Sequence, residues 1–163
     1  MARTEIDVLL DVIDRGFDHK AWHGPTLRGG LRRVDASTAA WRPGAERHNI
    51  WEIAIHAAYW KYIVRRRLLG EKKGSFPLKG SNWFARPIDA SADAWESDLK
   101  LLQQTHQALR AAVAKLRPAD LLAQPDGSKV NNFEMIVGIA AHDVYHAGQI
   151  QLLKRLADSR RKK

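Results

Sequence analysis

Apolar residues recur along this chain at steps of three and four, the spacing of a helix that buries one face. Four long segments have this pattern: a first helix that follows Thr4, a second from Asn49 to Gly70, a third from Ser91 to Leu116 and a fourth from Asn131 to about Ala157. No segment alternates apolar and polar residues between hairpin turns, as strands do. The pattern therefore predicts an all-α protein, a four-helix bundle with long connections.

Polar residues at the predicted helix starts support these boundaries. Thr4 is a candidate N-cap, and Asn49–Glu52 and Asn131–Glu134 each place an asparagine three positions before a glutamate, as in a capping box. Pro25 suits the first position of a short helix over 25–31, and another turn is expected over 35–42.

A long connection is predicted between the second and third helices. Residues 70–90 are rich in Gly, Pro and Lys, which are typical of irregular structure. Trp83 and Phe84 within this connection are large apolar side chains, and we expect them to pack the connection onto the bundle.

Two histidines four residues apart, His142 and His146, lie in the apolar stripe of the fourth helix, and His56 lies on the inward face of the second. At a spacing of four, Cβ atoms on one helix face are about 5–6 Å apart. A single histidine on an apolar face is more often a core residue bonded to a backbone carbonyl. Two adjacent imidazoles both need partners, however, and a shared metal ion supplies one to each. Three histidines with one open position are typical of a reactive metal site.

Three further residues are candidates for a fourth ligand or for hydrogen bonds that orient the ligands. His106 occupies a core position of the third helix, Gln149 follows the histidine pair by one turn, and Glu52 precedes the histidine of the second helix by one turn. For Glu52, the capping box with Asn49 is the favoured interpretation.

Other neighbours of the histidine pair have different predicted roles. On a helical wheel Asp143 and Tyr145 point away from the histidine direction. Gly148 weakens the helix, which indicates a close approach by another helix or a packing constraint at that position.

Length and composition limit the kinds of site that are possible. The chain has 163 residues, enough for one domain with a sizeable core, which we assign to residues 1–157, followed by a basic tail over 158–163. It has no cysteine, so disulfides, thiolate nucleophiles and cysteine-based zinc sites are excluded. Imidazole ligands favour zinc, nickel or a similar divalent ion.

The net charge is weaker evidence for a nucleic-acid partner than its size first indicates. The net charge is +9, which is compatible with a nucleic-acid partner. Much of it lies near the C-terminus, where residues 154–163 carry six basic side chains and one aspartate. A basic surface with a basic, solvated tail is therefore favoured over a nucleic-acid site. The chain has no apolar run of membrane-spanning length and no signal-peptide core, so we expect a cytoplasmic protein without membrane association.

The two histidine-containing segments are similar to those of a known protein family. The segment Asn-Ile-Trp-Glu-Ile-Ala-Ile-His that ends at His56, together with His-Asp-Val-Tyr-His-Ala-Gly-Gln-Ile over 142–150, resembles the DinB-like family of damage-inducible, metal-binding four-helix-bundle proteins. The Lys-Ala-Trp-His-Gly-Pro stretch over 20–25 and Trp-Arg-Pro over 41–43 are similar to one branch of it.

The resemblance implies an up-down-down-up bundle, often a homodimer, with zinc or nickel held by the matching residues His56, His142 and His146. It also implies a small-molecule substrate. Some related proteins are transferases that use low-molecular-weight thiols such as bacillithiol or mycothiol, and others are described as metal-dependent hydrolases.

Two functional hypotheses follow. In the first, the protein is an enzyme, because a metal ion on three neutral imidazoles lowers the pKa of water or of an incoming thiol. A thiol from outside is compatible with a chain that has no cysteine. The alternative is a non-catalytic metal-binding stress-response or interaction module. Transferase and hydrolase remain open within the first hypothesis, because both need the same ligands.

Overall fold

The computed structural model describes residues 3–72, 74 and 76–161. Within these residues it has no strand, one 3-10 turn at Pro118–Asp120, and six α-helices: α1 Glu5–Phe17, α2 Leu27–Leu31, α3 Ala36–Ala40, α4 Ile50–Leu68, α5 Ala92–Val113 and α6 Asn132–Arg161. The prediction of an all-α protein is confirmed. None of the helices described is long and apolar enough to cross a membrane.

The long helices pack around one interior. α4 packs against α5 and α6, while α1 packs against α6 and α5, and the short α2 also lies on α6. One apolar cluster joins α2, α3, the first half of α4 and the start of α5. A second joins α1, the ends of α4 and α5, and the first turns of α6. Most of the buried polar residues on the long helices lie between these two clusters.

The helix starts are capped largely as the sequence predicts. The Thr4 hydroxyl accepts from the Asp7 backbone, and the Thr4 backbone donates to the Asp7 carboxylate, which completes a capping box. Asn131 and Glu134 also exchange both bonds, at 2.9 Å each. Asn49 accepts from the Glu52 backbone at 2.8 Å, but the Glu52 carboxylate does not return the bond. It pairs instead with an arginine guanidinium, a stronger, charge-assisted partner.

Some predicted boundaries were wrong by a few residues. Pro25 lies outside α2, because Thr26 is the N-cap and accepts from Gly29 at 3.1 Å. α5 ends at Val113 rather than at Leu116. α6 continues through Arg161, so the described part of the segment 158–163 is helical, and Lys162 and Lys163 lie outside the described residues.

The connection between α4 and α5 packs onto the bundle, as predicted. Phe84 is only 6% exposed, and Trp83 stacks on the side chains of His48 and His56. The carbonyl of Arg86 accepts a hydrogen bond from the Asn49 side chain at 2.7 Å. This part of the connection is therefore fixed against α4 by both apolar and polar contacts.

Two helical glycines differ in their surroundings: one lies at a close contact between helices, and the other does not. A Cβ added at Gly16 of α1 would lie 2.9 Å from the carbonyl oxygen of Ala140 in α6, so the two helices touch there. At Gly148 an added Cβ would have no atom within 4 Å. The expected close approach at Gly148 is therefore wrong within a single chain.

A buried ion pair joins α4 to α6. The Lys61 ammonium donates a hydrogen bond to the Asp143 carboxylate, and each side chain is 1% exposed. Asp143 lies outside the histidine cluster but is still buried, because α6 is contacted by α1 and α2 as well as by α4 and so buries a broader arc than the histidine stripe. Lys61 also lies 5.0 Å from the centre of the Phe17 ring.

Breaking this pair on one side should strongly destabilise the fold. Lys61→Met leaves the Asp143 carboxylate buried without its counter-charge, and we expect a loss of about 3–5 kcal/mol in the free energy of unfolding. Lys61→Met combined with Asp143→Leu should recover most of that loss, because no buried charge remains. Urea denaturation measures both, with Lys100→Met as the exposed-lysine control. A single variant as stable as the parent would contradict the prediction.

Candidate metal centre

Three imidazole nitrogens converge between α4 and α6. The Nε2 atom of His142 lies 3.1 Å from His56 Nε2 and 3.0 Å from His146 Nε2. All three candidate ligand atoms lie within 4.8 Å of one another. The structure thus brings together the three histidines that the sequence singles out.

Local structure explains this convergence. His142 and His146 are one turn apart on α6, so their rings share a face. His56 lies in the part of α4 that is almost completely buried and faces α6. His56 and His146 are 6% and 3% exposed, and His142 is half-buried.

Hydrogen bonds at Nδ1 fix the tautomers of two of the rings. His56 Nδ1 lies 2.8 Å from the carbonyl oxygen of Asn82, and His146 Nδ1 lies 2.6 Å from Oε1 of Gln149. Both partners are oxygens that only accept, so each Nδ1 must carry the proton and donate it. The Nε2 lone pairs of His56 and His146 therefore point into the cluster, an arrangement common for metal-ligating histidines.

The cluster fits a divalent ion in both geometry and chemistry. Two nitrogens at about 2.0–2.1 Å from one zinc ion lie roughly 2.9–3.4 Å apart for bond angles between square and tetrahedral. The two separations from His142 Nε2, 3.0 and 3.1 Å, lie in this range. Without an ion, His142 Nε2 can donate its proton to only one of the two neighbouring atoms, His56 Nε2 or His146 Nε2. A shared ion satisfies all three lone pairs.

Burial keeps the rings neutral. It lowers the pKa of His142 to about 3 and that of His146 to about 4, and the neighbouring imidazoles lower the pKa of His142 further. Burial also lowers the pKa of His56, although the Asn82 carbonyl opposes this. Neutral imidazoles near pH 7 are ready to ligate, because a metal ion need not displace protons from them.

Aromatic rings form one wall of the site. Trp83 is sandwiched between His56 and His48, with ring centroids 3.8 Å and 3.6 Å away. Trp60 meets His56 and His142 edge-on at 6.4 Å and 6.5 Å. These rings restrict the motion of His56 and shield it from water.

Asn82 connects this wall to the histidines. Its carbonyl accepts from His56, and its side-chain Oδ1 accepts from the indole of Trp60 at 2.9 Å. Its backbone is left-handed, with φ of 63°, a conformation that asparagine adopts more readily than most residues. Sequence analysis missed Asn82, since a single asparagine in a loop carries no signal for a contact with a residue 26 positions earlier.

Gln149 and Glu52 occupy different positions relative to the cluster. Gln149 contacts His146 directly and also donates to the hydroxyl of Tyr145 at 3.0 Å. Glu52 binds Arg42 at 2.5 and 2.9 Å and His48 at 2.9 Å. Although its burial opposes the effect, these hydrogen bonds hold the pKa of the Glu52 carboxyl below its usual value. Glu52 is linked to the cluster indirectly, because it bonds to His48, whose ring stacks on Trp83.

His106 does not join the cluster. Its Nε2 lies 3.4 Å from Asp14 Oδ1, and its ring stacks on Phe17 at 3.8 Å. α5 packs chiefly against α4 and α1, which directs His106 toward α1 rather than toward the histidines of α6. Burial lowers its pKa to about 3, so it remains a neutral core residue.

Comparison with known proteins gives one match. A family model described as the DinB superfamily matches residues 22–150, a range that contains all three clustered histidines. No curated protein and no solved structure matches the chain significantly.

The neutral histidines predict a defined acid sensitivity. A histidine with a pKa of about 3 or 4 in the folded protein and about 6.5 in the unfolded chain binds its proton only after unfolding across that interval. Stability is then fully present above about pH 6.5 and is lost as the pH falls toward the folded value.

For the metal-free protein, we expect the free energy of unfolding to fall below pH 6.5. Each of His106, His142 and His146 should contribute up to about 1.4 kcal/mol per pH unit. Urea denaturation in the presence of a chelator, at intervals from pH 7.5 to 4.5, measures the slope. The exposed pair His19 and His23, changed to alanine, should leave the slope as in the parent, and a stability independent of pH over this range would refute the prediction.

Proposed function

The chain belongs to the DinB superfamily, and on that basis we propose that it binds a divalent metal ion, zinc or nickel, through His56, His142 and His146. We propose further that it is a metal-dependent enzyme, a transferase that joins a low-molecular-weight thiol to an electrophilic small molecule. The observation that carries the proposal is the convergence of three neutral imidazoles, whose Nε2 atoms all lie within 4.8 Å of one another, those of His56 and His146 at 3.1 and 3.0 Å from that of His142.

We prefer a thiol to water as the nucleophile because a thiol is the stronger acid. When bound, the ion would act as a Lewis acid and lower the pKa of a thiol or a water molecule in its open position. A free thiol has a pKa near 8.5, whereas that of bulk water is near 15.7. A thiol therefore needs far less help from a general base.

The surroundings of the cluster favour the same choice. Glu52 is the carboxylate that sequence analysis put forward for this site, and both of its oxygens are already bound by Arg42 and His48. A carboxylate paired in this way with a guanidinium is a weak base. Hydrolysis, the second candidate reaction, would need a base to take a proton from water.

In the proposed reaction, the thiol proton passes to solvent and the thiolate sulfur forms a bond to an electrophilic carbon. The bond from that carbon to its leaving group breaks, and the leaving group takes the electron pair. His56, His142 and His146 hold the ion, while Asn82 and Gln149 orient two of them. Trp60 and Trp83 exclude water from one side of the site.

Other parts of the proposal derive from the family. They are an up-down-down-up order of α1, α4, α5 and α6 and a homodimer. A cytoplasmic location, inferred from the sequence, is also part of the proposal. The competing function is that of a non-catalytic module, which would bind the same metal ion but would not convert a substrate.

The first test is the metal content of the purified, untagged protein. We expect about one zinc or nickel ion per chain, lost when His142 and His146 are both changed to alanine, because one imidazole alone holds such an ion weakly. The double variant His19→Ala/His23→Ala, which removes two exposed histidines, should keep the ion. A parent without metal after incubation with zinc or nickel would refute the proposed site.

Turnover then separates the enzyme from the module. The metal-loaded protein is incubated with bacillithiol, mycothiol or glutathione and an aryl halide, and thioether formation is followed. Formation that disappears with the ion and in the His142→Ala/His146→Ala variant supports the transferase. Ester cleavage without thioether formation would favour the hydrolase, and a metal-loaded protein inert in both assays would favour the module.

Gln149 should matter for affinity rather than for stoichiometry. Gln149→Ala removes the acceptor of the His146 Nδ1 proton, and loss of such a partner typically weakens metal binding about 10–100-fold. Competition with a chromogenic chelator measures the affinity, and Gln151→Ala, on the same helix, is the matched control. Equal affinities for the two variants would contradict the assigned role of Gln149.

A further inference from the structure

The outward face of α6 is apolar over most of its length. Phe133, Val137, Tyr145, Leu152 and Leu156 are 38–63% exposed. Between residues 132 and 157, all of which the structure describes, the only exposed charged residues are Glu134 and Arg155. An apolar surface of this extent usually marks an interaction site.

A second helix of the same protein shows what an ordinary outward face is like here. The exposed positions of α5 include Asp93, Glu96, Lys100, Gln104 and Arg110. Polar residues of this kind are expected where a helix faces solvent. The composition of the α6 face is instead that of a helix packed on both sides.

Small residues lie near the middle of the α6 face. Ala141 is exposed, and Cβ atoms added at Gly138 or Gly148 would have no atom within 4 Å. Glycine inside a helix destabilises it relative to alanine, and none of the described residues fills the space. Small side chains at these positions allow the backbone of another helix to approach closely.

The face is complementary to itself. An antiparallel copy related by a twofold axis midway between Val144 and Tyr145 sets Phe133 opposite Leu156, Val137 opposite Leu152, and Ala141 opposite Gly148. The same axis sets Glu134 opposite Arg155, so the two charges of the face are paired with opposite charges at both ends. Isologous dimer interfaces have this kind of self-complementarity.

We propose that the outward face of α6 is the interface between two copies of this chain, which pair antiparallel about this axis. The apolar positions form one stripe along the whole helix, and pairing at both of its ends requires a shallow crossing angle of about 20°. The proposal gives the homodimer of the proposed function a definite surface, and it does not depend on the metal ion. A lipid surface or an unrelated partner would not require opposite charges at mirrored positions.

Molar mass in solution tests the interface. Light scattering or sedimentation at tens of micromolar should give twice the 18.4 kDa of one chain. Leu152→Glu should shift the protein to monomer, because a dimer of this variant would bury two carboxylates. Leu122→Glu is an equally drastic change at a 79% exposed position outside α6, and this variant should remain dimeric. Glu134→Arg should weaken the dimer at least tenfold, and Glu134→Arg with Arg155→Glu should restore it.

Circular dichroism and metal content accompany each variant, so that unfolding and loss of the metal site are distinguished from dissociation. A folded Leu152→Glu monomer that keeps its metal supports the interface. A monomeric parent, or a dimer unaffected by Leu152→Glu, would overturn the proposal while leaving the metal site untouched.

Cross-linking tests the register, and the chain has no cysteine of its own. Ala141→Cys with Gly148→Cys should give an intermolecular disulfide on oxidation, since these positions face each other across the axis. Either cysteine alone should not, because a residue and its own copy are then about 10 Å apart along the helices, beyond the reach of a disulfide. Failure of the double variant to cross-link, or equal cross-linking by Ala141→Cys alone, would refute this pairing.

Discussion

The contact between α4 and α6 is the constraint on which the site depends. α4 contributes His56 and Lys61, and α6 contributes His142, Asp143 and His146. The buried pair of Lys61 and Asp143 holds the two helices at one register, since a slide of one turn, about 5.4 Å, would separate both the ion pair and the imidazoles. A purely apolar contact would tolerate such a slide better, because dispersion and burial do not specify direction.

Between its two apolar clusters the protein has a layer of polar side chains. Asp14, Lys61, His106 and Asp143 all lie there, each at most 6% exposed. Such groups destabilise a core unless they are paired, and their placement beside the histidines means that the environment of the candidate metal ion is polar on its inner side. The outer side is formed by Trp60 and Trp83. An ion held there would keep its full charge, because its ligands are neutral.

Local sequence predicted much of this structure. Helix periods and the caps at Thr4, Asn49 and Asn131 depend on neighbours within four residues, so they could be found from one sequence. The histidine pair follows from the same spacing, and His56 from the apolar face of its helix. Contacts between distant segments could not be found in this way. Lys61 and Asp143, the Asn82 carbonyl and the position of His106 depend on how α1, α5 and the connection pack, and the helical wheel assumed a narrower buried arc for α6 than three packed neighbours produce.

A short chain of hydrogen bonds links the surface of α6 to the cluster. The Tyr145 hydroxyl accepts from Gln149, whose carbonyl oxygen accepts from His146. Tyr145 is 63% exposed on the single chain and lies beside the proposed twofold axis, so one amide links a phenol at the surface of the chain to a buried ring. Thermodynamic linkage makes such a link reciprocal. If a contact at Tyr145 changes the affinity of His146 for an ion by some factor, the ion changes the affinity of Tyr145 for that contact by the same factor.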